Sequence, residues 1–199
     1  MRRIDRWLQD WRFRAARPWV RRGDRLLDIG CFHGEFFEQL GSRISSGVGF
    51  DPYGNAMDRG NLKIVPEEFL IPSAFSSNSF DAIVMLATLE HIVDKEPFVS
   101  EFWRLLKPTG RVILTVPSPL VDHLVDFLRA CRLADGMSIE QHHGFSPESV
   151  PTLFNASGFG LEHWSRFQFG LNNLFVFQKP MRPKEPAAAL ASCAGWNGP

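Results

Sequence analysis

The stretch RLLDIGCFHGEF, residues 25–36, restricts the fold of this chain more than any other. Leu26, Leu27 and Ile29, with Asp28 among them, form a short run that stops at Gly30, and Gly34 follows in the same turn. A run of that length closed by glycine reads as a buried strand, a tight turn and the start of a helix. Such a turn usually cradles something. The rest of the chain has to supply the sheet that the strand belongs to.

It does so by alternation. After the strand Arg25–Ile29 come a helix over 34–40, a strand over 47–51 that ends at Asp51, and a third strand over 62–65. The run FDAIVML, residues 80–86, is a fourth strand. A helix follows up to Leu106, the sequence Lys107-Pro108-Thr109-Gly110 stops it, and RVILTVP is a fifth strand. Residues 120–136 read as an amphipathic helix. Ser146 caps another, with Pro147 at its first position and Gly158 as its stop. Two strands around Gly170 lack a helix between them and should pair as a hairpin. Strands alternating with helices predict a doubly wound α/β fold with a mostly parallel sheet covered on both faces.

At the start, Ile4, Trp7, Leu8 and Trp11 fall at helical spacing, which predicts an amphipathic helix over 2–16. The organisation expected is therefore an N-terminal helix and linker (1–23), a main domain (24–179), and a poorly packed tail rich in Pro, Ala and Gly (180–199).

The 199 residues carry a formal net charge of zero, which argues against general nucleic-acid binding. The charge is unevenly spread: residues 1–22 hold eight arginines against Asp5 and Asp10. That helix could lid the site, touch an anionic membrane surface weakly, or meet an anionic substrate. Three widely spaced cysteines indicate neither a disulfide framework nor a metal cluster, and no metal is expected. No apolar run is long enough to span a bilayer, and the N-terminus does not read as a secretion signal, so a cytoplasmic setting is expected.

A dinucleotide fingerprint needs glycine at its first, third and sixth positions. From Gly30 those positions hold Gly30, Phe32 and Glu35, so two of three fail, and Glu35 would put a negative charge beside a pyrophosphate. The Gly-Lys-Ser/Thr ending of a P-loop is missing too. A carboxylate such as Asp51, 21 residues past Gly30 at a strand end, suits a paired diol because it offers two acceptor oxygens. In a doubly wound sheet, ligands sit beyond the strand C-termini, where both Gly30 and Asp51 lie.

Five pieces in order, LLDIGCFHG, GVGFDP, SFDAIVMLATLEHI, EFWRLLKPTGRVILTVPSP and HHGFSPESVPTLFNASGF, resemble a class I S-adenosylmethionine-dependent methyltransferase. The likeness covers residues 24–179 and is strongest to the group similar to the ubiquinone-biosynthesis methyltransferases. It implies a Rossmann-like seven-stranded sheet with an antiparallel last strand, and S-adenosyl-L-methionine as cofactor. It implies that the Gly30–Gly34 backbone, with Cys31 and Phe32, approaches the methionine part, that Asp28 orients the methionine amine, and that Asp51 accepts from both ribose hydroxyls. Pro52 and Tyr53 would lie against adenine, Glu67 or Glu68 would meet its amine, and Leu86 and Ala87 would face the sulfonium. Phe32 stands where the family usually has glycine.

The methyl acceptor expected is a small molecule, partly apolar or lipid-linked, methylated by direct displacement. An acceptor oxygen of high pKa would need a base, and His91, His142 and His143 are the options. The plainer readings are that Asp28 and Asp51 cap turns, that Cys31 is a small packed residue, and that His91 braces the next helix. Two other functions compete: a cofactor-binding module without turnover, and a nicotinamide-dependent reductase, which the glycine positions argue against.

Overall fold

The computed structural model describes residues 3–118 and 146–181. The expected helix over 120–136, His142 and His143, and most of the 180–199 tail lie outside the described residues.

Among the described residues, eight strands form one sheet: β1 (Arg25–Ile29), β2 (Ser46–Phe50), β3 (Met57–Arg59), β4 (Leu62–Val65), β5 (Phe80–Leu86), β6 (Leu106–Pro117), β7 (Gly160–Phe167) and β8 (Asn172–Gln178). Their order is β3-β4-β2-β1-β5-β6-β8-β7. The pairs β4–β2, β2–β1, β1–β5 and β5–β6 are parallel. β8 runs antiparallel to both β6 and β7, so the last strand is inserted against the direction of the sheet, as expected. The helices among the described residues are α1 (Arg3–Ala16), α2 (Glu35–Leu40), α3 (Lys95–Leu105) and α4 (Val150–Ala156).

Successive residues of a strand face opposite sides, and the sheet uses both. Leu27, Ile83, Phe175 and Phe177 face a core closed by Phe102 and Leu105 of α3 and Phe154 of α4. Leu26, Val84, Ile113 and Val176 face a second core closed by Phe13 and Ala16 of α1 and Phe36 and Phe37 of α2. In β2 the alternation is made by glycine. A Cβ on Gly47 would lie 2.7 Å from the Phe37 ring, and one on Gly49 would lie 2.5 Å from Cys31 Sγ, so α2 and the first turn press directly onto this strand.

Two details differ from the sequence expectation. The sheet has an eighth strand, because β3 folds back on β4 across Gly60 (φ +68°) and Asn61, the Gly-Asn pair favoured by tight hairpins. The stretch Lys107–Gly110 does not leave the sheet. β6 begins at Leu106, opposite Phe80, and the next pair is Ala82 with Arg111, so those four residues bulge within one strand. Lys107 Nζ holds the bulge by a contact of 2.8 Å to Asp81 Oδ1.

Candidate active site

Three turns meet at the C-terminal edge of β1, β2 and β5. Gly30 (φ +81°) turns the chain at the end of β1 and donates its N–H to Phe50 O of β2 at 2.8 Å. A Cβ there would lie 2.1 Å from Thr88 Oγ1, so only glycine lets the first turn close on the loop after β5. Gly34 (φ +85°) caps α2, and its N–H donates to Cys31 O at 2.8 Å.

Asp51 ties the first turn to the second. Its Oδ2 accepts the Phe32 N–H at 2.9 Å and its Oδ1 accepts the Tyr53 N–H at 2.8 Å. Each oxygen keeps a further lone pair, and the residue is 8% exposed, at the wall of a cleft. Phe32 takes a left-handed φ of +49°, and its ring stacks on that of His33 with centroids 3.8 Å apart, so it does not line the cleft.

The third turn carries Ala87, left-handed at φ +59°, whose N–H donates to both the backbone oxygen and the hydroxyl of Thr115, each at 3.1 Å. A non-glycine residue in this region is uncommon, and such strain gathers at functional sites.

The cleft bounded by these turns has a volume of about 850 Å³, within the range of small-molecule sites. Gly30, Asp51, Pro52, Tyr53, Ala87 and Thr88 make one side of it. Phe50, Phe69, Ile71, Ile92 and Phe98 make an apolar side, where the Phe50 and Phe69 rings meet edge to face at 5.2 Å. Glu68 and His91 also line it. Behind the apolar side, Glu101 accepts the Ser73 N–H at 2.8 Å and bonds Arg104, whose guanidinium also donates to Phe75 O at 2.7 Å. The Arg104 hydrogen bonds first, and then those from Ser73, hold the Glu101 carboxyl down at about 2 against the cost of its burial.

Two groups sit under the turns with strongly shifted acidity. Asp28 is 2% exposed, and burial above all, then the nearby charges of Asp51 and Glu35, pushes its carboxyl up to about 8. Burial, and then Asp28 and Asp51, push the Cys31 thiol far up as well. That thiol packs on Gly49 and is held as an unreactive thiol.

Of the residues singled out from sequence, Gly30, Asp51, Pro52, Tyr53, Ala87 and His91 come together around the cleft. Asp28, Cys31, Phe32, Gly34 and Leu86 are not among the residues lining it. Between Glu67 and Glu68, the structure brings Glu68 to the cleft. The apolar side was missed by sequence reasoning. Its members Phe69, Ile71 and Phe98 come from a loop and a helix start, where no periodic pattern points at a site.

The family described as "Methyltransferase domain" matches residues 2–163. The chain belongs to this family. Its relatives include the ubiquinone biosynthesis O-methyltransferase of Rhodopseudomonas palustris, 29% identical over 46% of this chain and 39% of the relative. The mitochondrial ubiquinone biosynthesis O-methyltransferase of Homo sapiens is 23% identical over 84% of this chain and 53% of the relative. The chain thus spans about half the length, or less, of these curated relatives. Its fold superposes on a SAM-dependent methyltransferase from Methanosarcina mazei with a TM-score of 0.60 at 20% identity, over 83% of this chain and 96% of that one.

The family's cofactor is S-adenosylmethionine, and the residues present fit it. Asp51 offers free lone pairs at the cleft wall, and Gly30 opens the β1 turn to close approach. Among the described residues, no lysine or arginine lines the cleft, which suits a nucleoside without phosphates.

Proposed function

We propose that the methyltransferase moves a methyl group from S-adenosylmethionine to a small-molecule acceptor with an apolar part, by direct displacement. The observation that carries this reading is the convergence of Gly30, Asp51 and Ala87 from three strand ends on one cleft. When bound, the cofactor supplies a sulfonium whose methyl group is already activated.

The chain's own residues then orient and enclose. Asp51, fixed by the Phe32 and Tyr53 N–H groups, accepts from the ribose diol with its remaining lone pairs. Pro52, Tyr53 and the Phe69 side of the cleft hold the adenine, and Glu68 accepts from its amine. The backbone of the Gly30 turn, with Cys31, Phe32 and Gly34, takes the methionine part, and Asp28 beneath it orients the methionine amine. Leu86 and Ala87, braced by Thr115, border the reacting end. Because the donor is activated beforehand, the protein's main contribution is alignment of donor and acceptor.

The ubiquinone biosynthesis O-methyltransferases among the relatives support an oxygen acceptor. Such a hydroxyl needs a base, and His91, at the cleft, is the described residue for that role. His142 and His143 are the other candidates.

The test is incubation with methyl-labelled S-adenosylmethionine and fractionated cell extract. Label is expected in an extractable, partly apolar product, with transfer reduced about 10²-fold or more in His91→Asn if the acceptor is a hydroxyl. Cofactor binding with no label moved to any fraction contradicts the reading.

A further inference from the structure

We propose that the edge of the sheet carrying the cleft docks on an anionic phospholipid surface, through Trp7, Trp11 and Phe169. The inference goes beyond methyl transfer and stands independently of it.

The first observation is a strained turn that displays an apolar ring. Between β7 and β8, Gln168 (φ +52°), Phe169 (φ +57°) and Gly170 (φ +85°) follow one another in the left-handed region. Two consecutive non-glycine residues there, one of them aromatic, are an unfavourable backbone state that the surroundings must enforce. The surroundings do so through Gln168, which is 4% exposed. Its Nε2 donates to Leu8 O of α1 at 2.7 Å, and its Oε1 accepts from Asn172 Nδ2 at 3.2 Å. The result is a Phe169 side chain that is 87% exposed. Both strain and apolar exposure oppose folding, and among the described residues no contact requires the ring outside.

The ring is not alone. Trp11 meets it edge to face at 5.5 Å, and Trp7, 53% exposed, meets Trp11 at 5.0 Å. The three form a continuous aromatic ridge across α1 and the turn, and tryptophan and phenylalanine are the side chains that partition into the headgroup region.

The charge around the ridge sets the sign of the partner. Residues 1–22 hold eight arginines against two acids, and Arg6, Arg14 and Arg17 are exposed. Arg14 lines the same groove on α1 as Trp7 and Trp11. The acid in that groove, Asp10, accepts from Gln39 Nε2 at 3.0 Å. Arg166, two residues before Gln168, is exposed and lies 3.6 Å from Glu148. Aromatic rings amid an excess of arginine match an anionic bilayer surface, not a neutral or basic protein face.

The turn is bonded to the C-terminal end of β6, where the Ser118 N–H donates to Leu171 O at 2.9 Å and Ser118 Oγ donates to Gly170 O at 2.7 Å. That is the sheet edge on which Gly30, Asp51 and Ala87 also lie. Docking through the ridge brings the mouth of the cleft to the lipid headgroups.

Flotation of the full chain with vesicles tests this, using phosphatidylcholine alone or mixed with phosphatidylglycerol. The chain is expected to float with the mixed vesicles, more weakly with phosphatidylcholine alone, and less as salt is raised. A Trp7→Ser, Phe169→Asn double variant, whose asparagine tolerates the left-handed position, should lose about tenfold or more in partition. It should keep its melting temperature and its affinity for S-adenosylhomocysteine, which shows that the fold and cofactor site are intact. Equal partition of variant and wild type overturns the proposal. So does a wild-type chain that ignores mixed vesicles, including one in which the ridge instead joins two copies and the double variant turns a dimer into a monomer.

Discussion

Both carboxylate oxygens of Asp51 accept a backbone N–H, one from the first turn and one from its own. The residue therefore shapes the cleft as well as facing it. Hydrogen bonds to a charged group contribute about 1.5–3 kcal/mol each. On that scale Asp51→Ala should weaken S-adenosylmethionine binding about a hundredfold by calorimetry, and Asp51→Asn should weaken it less; an unchanged affinity in the alanine variant would remove the residue from the site. Asp28 acts in the opposite sense. Its carboxyl is raised from 3.8 to about 8, so between those values the folded chain holds a proton that the unfolded chain has released. Stability should then fall as pH rises through that window and level off above it. Asp28→Asn, which stays neutral, should flatten the fall; urea midpoints at about pH 5 and about pH 8 measure it. A variant that keeps the wild-type decline would show that another group carries the proton. Asp51 was legible as a carboxylate at a strand end. Its two N–H partners were not, because they depend on how Phe32 turns, and a left-handed phenylalanine leaves no mark in the sequence.

At the level of elements, the loop between β4 and β5 is held to α3 by Glu101 and Arg104, and it leads from the apolar side of the cleft. Glu101 is held down at about 2, so its contribution is present above the ordinary value of 4.5 and is lost as pH falls through about 2. Glu101→Ala should cost about 1–3 kcal/mol, since it leaves the Ser73 N–H and part of the Arg104 guanidinium unpaired. It should also lower cofactor affinity with Asp51 untouched. Chemical denaturation and calorimetry read the two effects, and a stable variant with wild-type affinity would contradict the link.

Most elements were readable from spacing alone. Leu26–Ile29 and Phe80–Leu86 are apolar runs of strand length, and Ser146, Pro147 and Gly158 mark the start and stop around α4. Gly60-Asn61 is a pair that tight hairpins favour, but β3, three residues with one apolar member, gives no strand period. The Lys107–Gly110 bulge was hidden for a different reason. A Pro-Thr-Gly sequence reads as a chain reversal, and only the pairing of Leu106 with Phe80 shows that the strand had already begun.

Across the whole molecule, the sheet is insulated by two separate cores, and the cleft opens where they end, at the C-terminal tips of the strands. α1 belongs to the second core. Phe13 packs on Phe36 at 5.2 Å and is 6% exposed, so Phe13→Ala should cost about 3–5 kcal/mol of stability by denaturant titration. A cost below about 1 kcal/mol would mean that the helix is an appendage to the fold. The sequence pattern placed an amphipathic helix there, yet the same pattern serves a lid, a membrane contact or a core element. Only the burial of Phe13 and Ala16 together with the exposure of Trp7 shows one helix serving the core with one face and offering another outward.

We propose that the cleft between β1, β2 and β5 takes S-adenosylmethionine with Asp51 on its sugar. A crystal structure with S-adenosylhomocysteine tests it most directly. Both ribose hydroxyls are expected within hydrogen-bond distance of the Asp51 carboxylate, with the adenine against the Phe69 side. A nucleoside seated elsewhere, or a ribose turned away from the end of β2, would contradict the account.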